Sequence, residues 1–227
     1  MVPGGCMAGG DEAPEVARRR MVDQQLKARD IFDPRVLVAM GKVPRHLFVE
    51  PAVEPFAYED RPLSIGAGQT ISQPYIVALM TQLLKVQPSH RVLEVGTGSG
   101  YQAAVLGELA ADVYTIEIIP SLAETARVRL EALGYRNVHV RQGDGYEGWR
   151  EFAPYDAIVV TAGAPQIPPP LVEQLRDGGR IAIPVGGAMA TQELMFGEKQ
   201  GGRLQTRSVA PVLFVPLTGK GSGQDGR

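Results

Sequence analysis

The chain is poor in the residues that build covalent or metal frameworks. Only Cys6 among its 227 residues is a cysteine, so no disulfide can form within the chain and a reducing compartment is the expectation. His46, His90 and His139 lie far apart in sequence and no Cys/His cluster joins them, so no metal site is expected. An excess of either charge is also missing. With 23 Lys+Arg against 25 Asp+Glu the formal charge is −2, which gives no footprint for a nucleic-acid partner or an anionic membrane. Arg18, Arg19 and Arg20 form one small basic cluster. No apolar run approaches the ~20 residues that span a bilayer. Residues 1–14 are Gly-rich, lack an apolar segment and do not read as a secretory signal. A cytoplasmic monomer without nucleic-acid or membrane partners is therefore the expectation. Two catalytic signatures are absent as well: a Gly-x-Ser-x-Gly elbow and a Walker lysine after the glycines.

What the chain does have is a stretch around which the rest can be arranged, Arg91-Val-Leu-Glu-Val-Gly-Thr-Gly-Ser-Gly-Tyr101. It reads as an apolar strand, an acidic residue near its end, a glycine turn and a helix start. Such a turn lies at the carboxyl end of a strand, where a following helix offers its N–H groups to a ligand. Gly96, Gly98 and Gly100 sit on alternate positions, so backbone can approach a ligand more closely than any Cβ permits. A tight strand–helix connection needs one or two glycines and has no evident use for three so spaced.

Strands and helices alternate after this point. Strands are expected over 91–95, 113–118, 138–142, 155–160 and 180–185, with helices over 101–110, 121–133 and 171–176. Ser121 and Glu124 have capping-box spacing for the middle helix. This alternation predicts an α/β fold with a doubly wound, Rossmann-like, mostly parallel sheet. Upstream, helices are expected over 16–26, from Pro34 to Gly41 behind an Asp33 cap, and over 75–86. Residues 43–68, rich in Pro and Gly, read as a long loop of functional kind. Downstream, 193–196 and 204–217 read as an antiparallel hairpin turning at Gly201-Gly202. One domain over 15–218 is expected, with disordered tails at 1–14 and 219–227.

Two further strand ends carry ligand-competent groups. Glu117 ends the next strand ~20 positions past the first glycine, placed to accept hydrogen bonds from ribose hydroxyls. Asp144-Gly145 follows the third strand, where a carboxylate and a backbone N–H could read an adenine edge. Each alone also fits a bland role, a solvated carboxylate or an ordinary Asp-Gly turn. Together they describe a site for one nucleoside. The pyrophosphate spacing that a nicotinamide dinucleotide needs is not there.

Glu94-Val-Gly-Thr-Gly-Ser-Gly resembles the first motif of class I S-adenosylmethionine-dependent methyltransferases. With Asp60-Arg-Pro-Leu-Ser-Ile-Gly-Ala-Gly-Gln-Thr-Ile-Ser-Gln-Pro-Tyr75 upstream, the resemblance narrows to the protein-L-isoaspartate O-methyltransferase family. Tyr114-Thr-Ile-Glu117, Gly143-Asp-Gly145, 179–186 and Val215-Pro-Leu-Thr218 agree in order and spacing, so the likeness spans about 20–218. It implies transfer of a methyl group from S-adenosyl-L-methionine, which leaves as S-adenosyl-L-homocysteine. The acceptor is the α-carboxylate of L-isoaspartyl residues in damaged proteins and peptides, which are then repaired through a succinimide. It implies Ser72 as the active-site residue, with Gln69, Thr70, Ile71 and Ser72 lining the cofactor. The first motif supplies Glu94, Gly96, Thr97, Gly98, Ser99 and Gly100, while Glu117 meets the ribose, Asp144 and Gly145 the adenine, and Thr218 the cofactor near the C-terminus. Where some eukaryotic members have a histidine cluster, this chain has Pro74-Tyr-Ile-Val77, and no role passes to residues beyond Pro74.

Ser72 can also be read without the resemblance, as the N-cap of the helix that follows Pro74. The two readings are compatible, because a helix N-terminus favours a carboxylate. An α-carboxyl with a pKa of ~3.3–3.7 is already ionised at neutral pH, so its methylation needs no general base. The residue beside it should position rather than take a proton. Residues 43–68 are a candidate wall for a peptide cleft and 161–170 a candidate floor.

Overall fold

The structure, a computed structural model, describes residues 13–187 and 190–220. Both expected tails lie mostly outside these residues. The chain enters through α1 (Pro14–Arg20), which widens into a π-helical turn over Met21–Leu26 that buries Met21, Val22 and Leu26. Asp33 caps α2 (Pro34–Lys42) by accepting from Arg35 N at 2.9 Å, and Pro34 stands at the first helical position where it forfeits no hydrogen bond.

The expected loop at 43–68 has regular structure of its own. Two 3₁₀ turns, Arg45–Phe48 and Pro51–Phe56, precede β1 (Leu63–Ser64), which pairs antiparallel with β2 (Thr70–Ile71). The miniature sheet buries Ile71 while leaving Thr70 exposed, and hands the chain to α3 (Pro74–Leu84). The N-cap of α3 is Gln73, one residue later than the Ser72 cap considered from sequence. Asp60 does the capping from a distance, accepting from Tyr75 N at 3.0 Å.

The main sheet has seven strands: β3 (Arg91–Val95), β4 (Asp112–Glu117), β5 (Val138–Gln142), β6 (Tyr155–Val160), β7 (Leu175–Val185), β8 (Gln192–Gln200) and β9 (Arg203–Val212). Their spatial order is β5-β4-β3-β6-β7-β8-β9. The first five are parallel, and β8 and β9 are antiparallel, forming the C-terminal hairpin. The fold is thus the Rossmann-like doubly wound sheet that the alternation predicts. Helices α4 (Tyr101–Gly107), α5 (Pro120–Ala132) and α6 (Pro169–Gln174) make the crossovers.

Alternate strand residues feed two separate cores, as the two-residue period of a strand requires. Val92, Val113, Ala157 and Val159 face a core shared with α2 to α5. Leu93, Tyr114, Ile116 and Ile158 face the other side, where Tyr114, Trp149, Phe152 and Tyr155 form an aromatic cluster beneath α6. Both sheet faces are therefore covered, and the strands read as near-continuous apolar runs.

Several boundaries differ from the sequence reading, three of them for a plain physical reason. The cap of α5 is Ile119, and Pro120 opens the helix, so Ser121 lies inside the first turn and the Ser121–Glu124 capping box does not form. Glu124 instead pairs with Arg127 at 2.6 Å. Helix α6 spans 169–174 rather than 171–176, because Leu175 already pairs with Tyr155 in the sheet. The hairpin's second strand stops at Val212. Residues 213–218 leave it and cross the carboxyl ends of the parallel strands, held there by Leu217 N to Gly163 O and Gly163 N to Val215 O, both 2.8 Å.

Candidate active site

The chain reverses its direction of winding between β3 and β6, which lie side by side although β4 and β5 intervene in sequence. A crevice opens at the carboxyl ends of strands where the order reverses in this way. Two turns meet there. The glycine turn leaves β3, anchored by Gly96 N to Ile116 O at 2.8 Å, and Thr161 leaves β6, donating from Oγ1 to Gly96 O at 2.5 Å. Gly96, Gly98 and Gly100 all have positive φ, at 96°, 52° and 89°. A Cβ built on Gly96 would stand 2.4 Å from Thr161 Oγ1, so here the glycine is required by both conformation and space.

Glu117 accepts from Gly98 N through Oε2 at 2.8 Å and from Ile119 N through Oε1 at 3.0 Å. Both oxygens are thereby fixed in place, and each retains acceptor capacity. The carboxylate borders a cavity with about 550 Å³ of free space, part of it open to solvent, that is also lined by Gln69, Thr70, Gly96, Gly98, Gly145 and Thr218. Ile118, an exposed apolar side chain at the same wall, provides a surface on which a flat ring can lie. The strap 215–218 closes the opposite side.

Other expected residues stand elsewhere. Glu94 lies beneath the turn, fully buried and off the cavity wall, accepting from Thr115 Oγ1 at 2.5 Å while its Oε1 has no partner. Desolvation pushes its carboxyl up to about 8, against the lowering effect of the Thr115 bond. Thr97 extends this chain, its hydroxyl 2.6 Å from that of Thr115. Gly100 caps α4 and does not line the cavity; a Cβ there would meet Leu130 and Ala126. The Asp144 carboxylate is taken by two backbone donors, Tyr146 N at 2.9 Å and Lys220 N at 2.8 Å, and only its neighbour Gly145 reaches the cavity wall.

Ile71, Ser72, Thr97 and Ser99 line a smaller adjoining space, which Gly96 and Thr161 share with the first cavity. Ser72 then faces a second, larger cavity of about 1130 Å³ of free space, walled by Arg29, Tyr75, Pro211, Leu213 and Phe214. Thr70 and Thr161 border all three spaces. The sequence reading missed the role of Thr161 as the junction, although its place after β6 in a floor segment was the available signal. Of the strap it singled out Thr218 alone, and it missed Gln192, whose buried amide brackets Phe214 by accepting from its N–H at 2.8 Å and donating to its carbonyl at 3.1 Å.

Comparison with known proteins gives this arrangement its family. The sequence profile of the protein-L-isoaspartate(D-aspartate) O-methyltransferases matches residues 16–222. The chain belongs to that family. A protein-L-isoaspartate O-methyltransferase 2 from Syntrophobacter fumaroxidans is 56% identical over 229 residues, covering 96% of this chain and 93% of its own. One from a Polaromonas species is 64% identical over 190 residues, covering 83% and 90%. Among solved structures, a protein-L-isoaspartate O-methyltransferase superposes with a TM-score of 0.83 at 30% identity, over 91% of this chain and 67% of that one. A family structure from Plasmodium falciparum, in complex with S-adenosyl-L-homocysteine, gives 0.77 at 27% identity, over 88% and 98%. Membership in the protein-L-isoaspartate O-methyltransferase family fits a crevice in which a smaller and a larger cavity share Thr70 and Thr161.

Proposed function

We propose that the enzyme methylates the α-carboxylate of L-isoaspartyl residues in damaged proteins and peptides, initiating their repair through a succinimide, and that Ser72 is its active-site residue. The observation that carries this reading is that the two cavities share Thr70 and Thr161 as a common wall, with Ser72 lining the larger one and the small space between. A group transfer between a nucleoside cofactor and a peptide needs a place where the two sites meet.

The residues present fit the cofactor. The glycine turn leaves no Cβ between Gly96 or Gly98 and the cavity, Glu117 offers two fixed acceptors to a ribose, and Gly145 and Ile118 border the far end. Gln69, Thr70 and Thr218 complete the walls. When bound, S-adenosyl-L-methionine supplies an electrophilic methyl group. The enzyme's own residues then have three tasks. Ser72 hydrogen-bonds the substrate carboxylate, which is already ionised and needs no base. Thr161 holds the Gly96 carbonyl and so keeps the glycine turn in register with the substrate side. The strap 213–218 covers the crevice, which limits water and aligns the reactants, where most of the rate gain of such a transfer originates.

Glu94 and Thr97 support the turn from below in this reading, and Asp144 reads the adenine edge once the Lys220 N–H is released. Residues 15–218 act as a single domain. The protein works as a cytoplasmic monomer without a nucleic-acid partner, a setting supported by its lone cysteine and balanced charge. Among the described residues no helix is long and apolar enough to cross a membrane. A peptide with an isoaspartyl residue, mixed with methyl-labelled cofactor beside its aspartyl twin, should be the only one of the pair to take up label. Labelling of neither peptide, with cofactor binding intact, would contradict the proposal.

A further inference from the structure

Behind Ser72, on the side away from the cleft, lies a charge that the mechanism above does not use. Arg45 is fully buried, with no exposed surface, at the start of the first 3₁₀ turn. Its guanidinium donates from Nε to Ala57 O at 2.7 Å and from Nη2 to Ser72 O at 2.7 Å, and neither acceptor is a carboxylate. Nη1 has no hydrogen-bond partner among the described residues. The Tyr101 ring lies beside the guanidinium, its centroid 4.8 Å away, but its hydroxyl is directed to Met40 Sδ at 3.7 Å. The groups that act on Arg45 through space are Tyr101, Tyr58 and Asp60, and the Tyr101 hydroxyl lies near enough to the guanidinium to favour the cation by hydrogen bonding as well. Both tyrosines are held above their ordinary range by burial and stay neutral. Asp60 is committed to Arg29 at 3.0 Å and to Tyr75 N at 3.0 Å. Burial lowers Arg45 to about 10, which leaves it a cation at neutral pH.

A buried cation without a paired anion is costly, and proteins ordinarily neutralise it or surround it with acceptors. Here one acceptor is the carbonyl of the residue that faces the substrate. In a trans peptide the N–H points opposite to the C=O, so the Gln73 N–H points away from Arg45. A cation bonded to the Ser72 carbonyl polarises that peptide and strengthens the N–H as a donor. Ser72 and Gln73 both line the larger cavity.

We infer that Arg45 is a positioning residue for the substrate carboxylate: through the Ser72–Gln73 peptide it fixes Ser72 and supplies the positive potential that the isoaspartyl α-carboxylate completes on binding. The arrangement suits this substrate. A guanidinium in direct contact with the carboxylate would blunt its nucleophilicity, whereas one placed behind a peptide unit attracts the charge and leaves the oxygen free to react. This inference rests on the proposal that Ser72 faces that carboxylate.

The test compares an isoaspartyl peptide with its α-carboxamide analogue, which has the same shape and no charge. Binding of both is measured in the presence of S-adenosyl-L-homocysteine for the parent enzyme, R45M, R45Q and R45K. The parent should prefer the carboxylate. In R45M and R45Q, carboxylate binding should weaken at least tenfold while carboxamide and S-adenosyl-L-homocysteine binding stay within about twofold, and in turnover the loss should fall on KM rather than kcat. Equal loss of both peptides would make Arg45 a scaffold residue and overturn the inference, as would no loss of either. Should neither neutral variant fold, R45K decides. Lysine keeps the charge but cannot span both carbonyls, so persistence of the carboxylate preference supports the electrostatic role and its disappearance overturns it. A parent enzyme that binds both peptides equally would overturn the reading of the Ser72 cleft itself, and with it this one.

Discussion

The two sides of the crevice are built on opposite plans. The nucleoside side rests chiefly on consecutive strand ends, Gly96 and Gly98 after β3, Glu117 at the end of β4 and Gly145 after β5, with Gln69, Thr70 and the strap closing it. The peptide side gathers Arg29, Ser72, Tyr75, Thr161, Pro211 and Phe214 from four distant stretches of chain. Rigid strand ends suit a ligand that is the same in every turnover. A wall assembled from a short 3₁₀-rich segment, a two-residue strand and a strap suits a substrate whose flanking residues vary. Cofactor binding thus draws mainly on the parallel sheet, and substrate choice mainly on segments added to either end of it.

Changes that intrude on the strand ends should separate the two sides most sharply. Gly96→Ala places a Cβ against Thr161 Oγ1 at φ +96°. Positive φ alone costs roughly 1–2 kcal/mol and overpacking adds about 1–3. We expect loss of about 3 kcal/mol of stability in denaturant unfolding and no measurable S-adenosyl-L-homocysteine binding by calorimetry. Glu117→Ala comes next. It removes two acceptors worth about 1.5–3 kcal/mol each to hydroxyl donors, so cofactor affinity should fall by more than about 100-fold. The KM for peptide at saturating cofactor should hardly move, and a parallel rise in both would erase the distinction between the sides.

The nucleoside half was legible in sequence for a physical reason. Its ligand groups follow directly on apolar strands, and the strand–helix alternation predicts that those strand ends lie in register. The peptide half was legible at Ser72 and, as segments only, in the expected wall 43–68 and floor 161–170. Arg45, Gln192 and the strap at 213–218 depend on contacts across 27, 22 and 54 positions of chain, and no local pattern announces them. Local chemistry also misled. Ser121 and Glu124 have the spacing of a capping box, but Pro120 is already helical, so Ile119 holds the cap position. Glu94 looked like a cofactor ligand because it precedes the glycines. Strand alternation instead turns it under the sheet's end, where it meets Thr115.

That buried carboxyl gives a smaller, pH-dependent effect. Its pKa of about 8 lies above the ordinary value of 4.5, so the folded protein keeps a proton that the unfolded chain loses as pH rises past 4.5. Stability contributed by the neutral carboxyl is present below that pH and is lost between it and 8, at up to about 1.4 kcal/mol per pH unit. Glu94→Gln should flatten this slope, with no effect at pH 4 and a stabilisation at pH 8 in urea unfolding. An unchanged slope would place the proton elsewhere and remove Glu94 from the account of the turn.

The division between the sides is tested most directly by Ser72→Ala, with S-adenosyl-L-homocysteine affinity and isoaspartyl-peptide turnover measured on the same protein. If Ser72 belongs to the transfer, affinity stays within about twofold of the parent while kcat/KM falls at least tenfold, the loss of one hydrogen bond to a charged group. Unchanged turnover, or a loss of cofactor affinity as large as the loss of turnover, would contradict it.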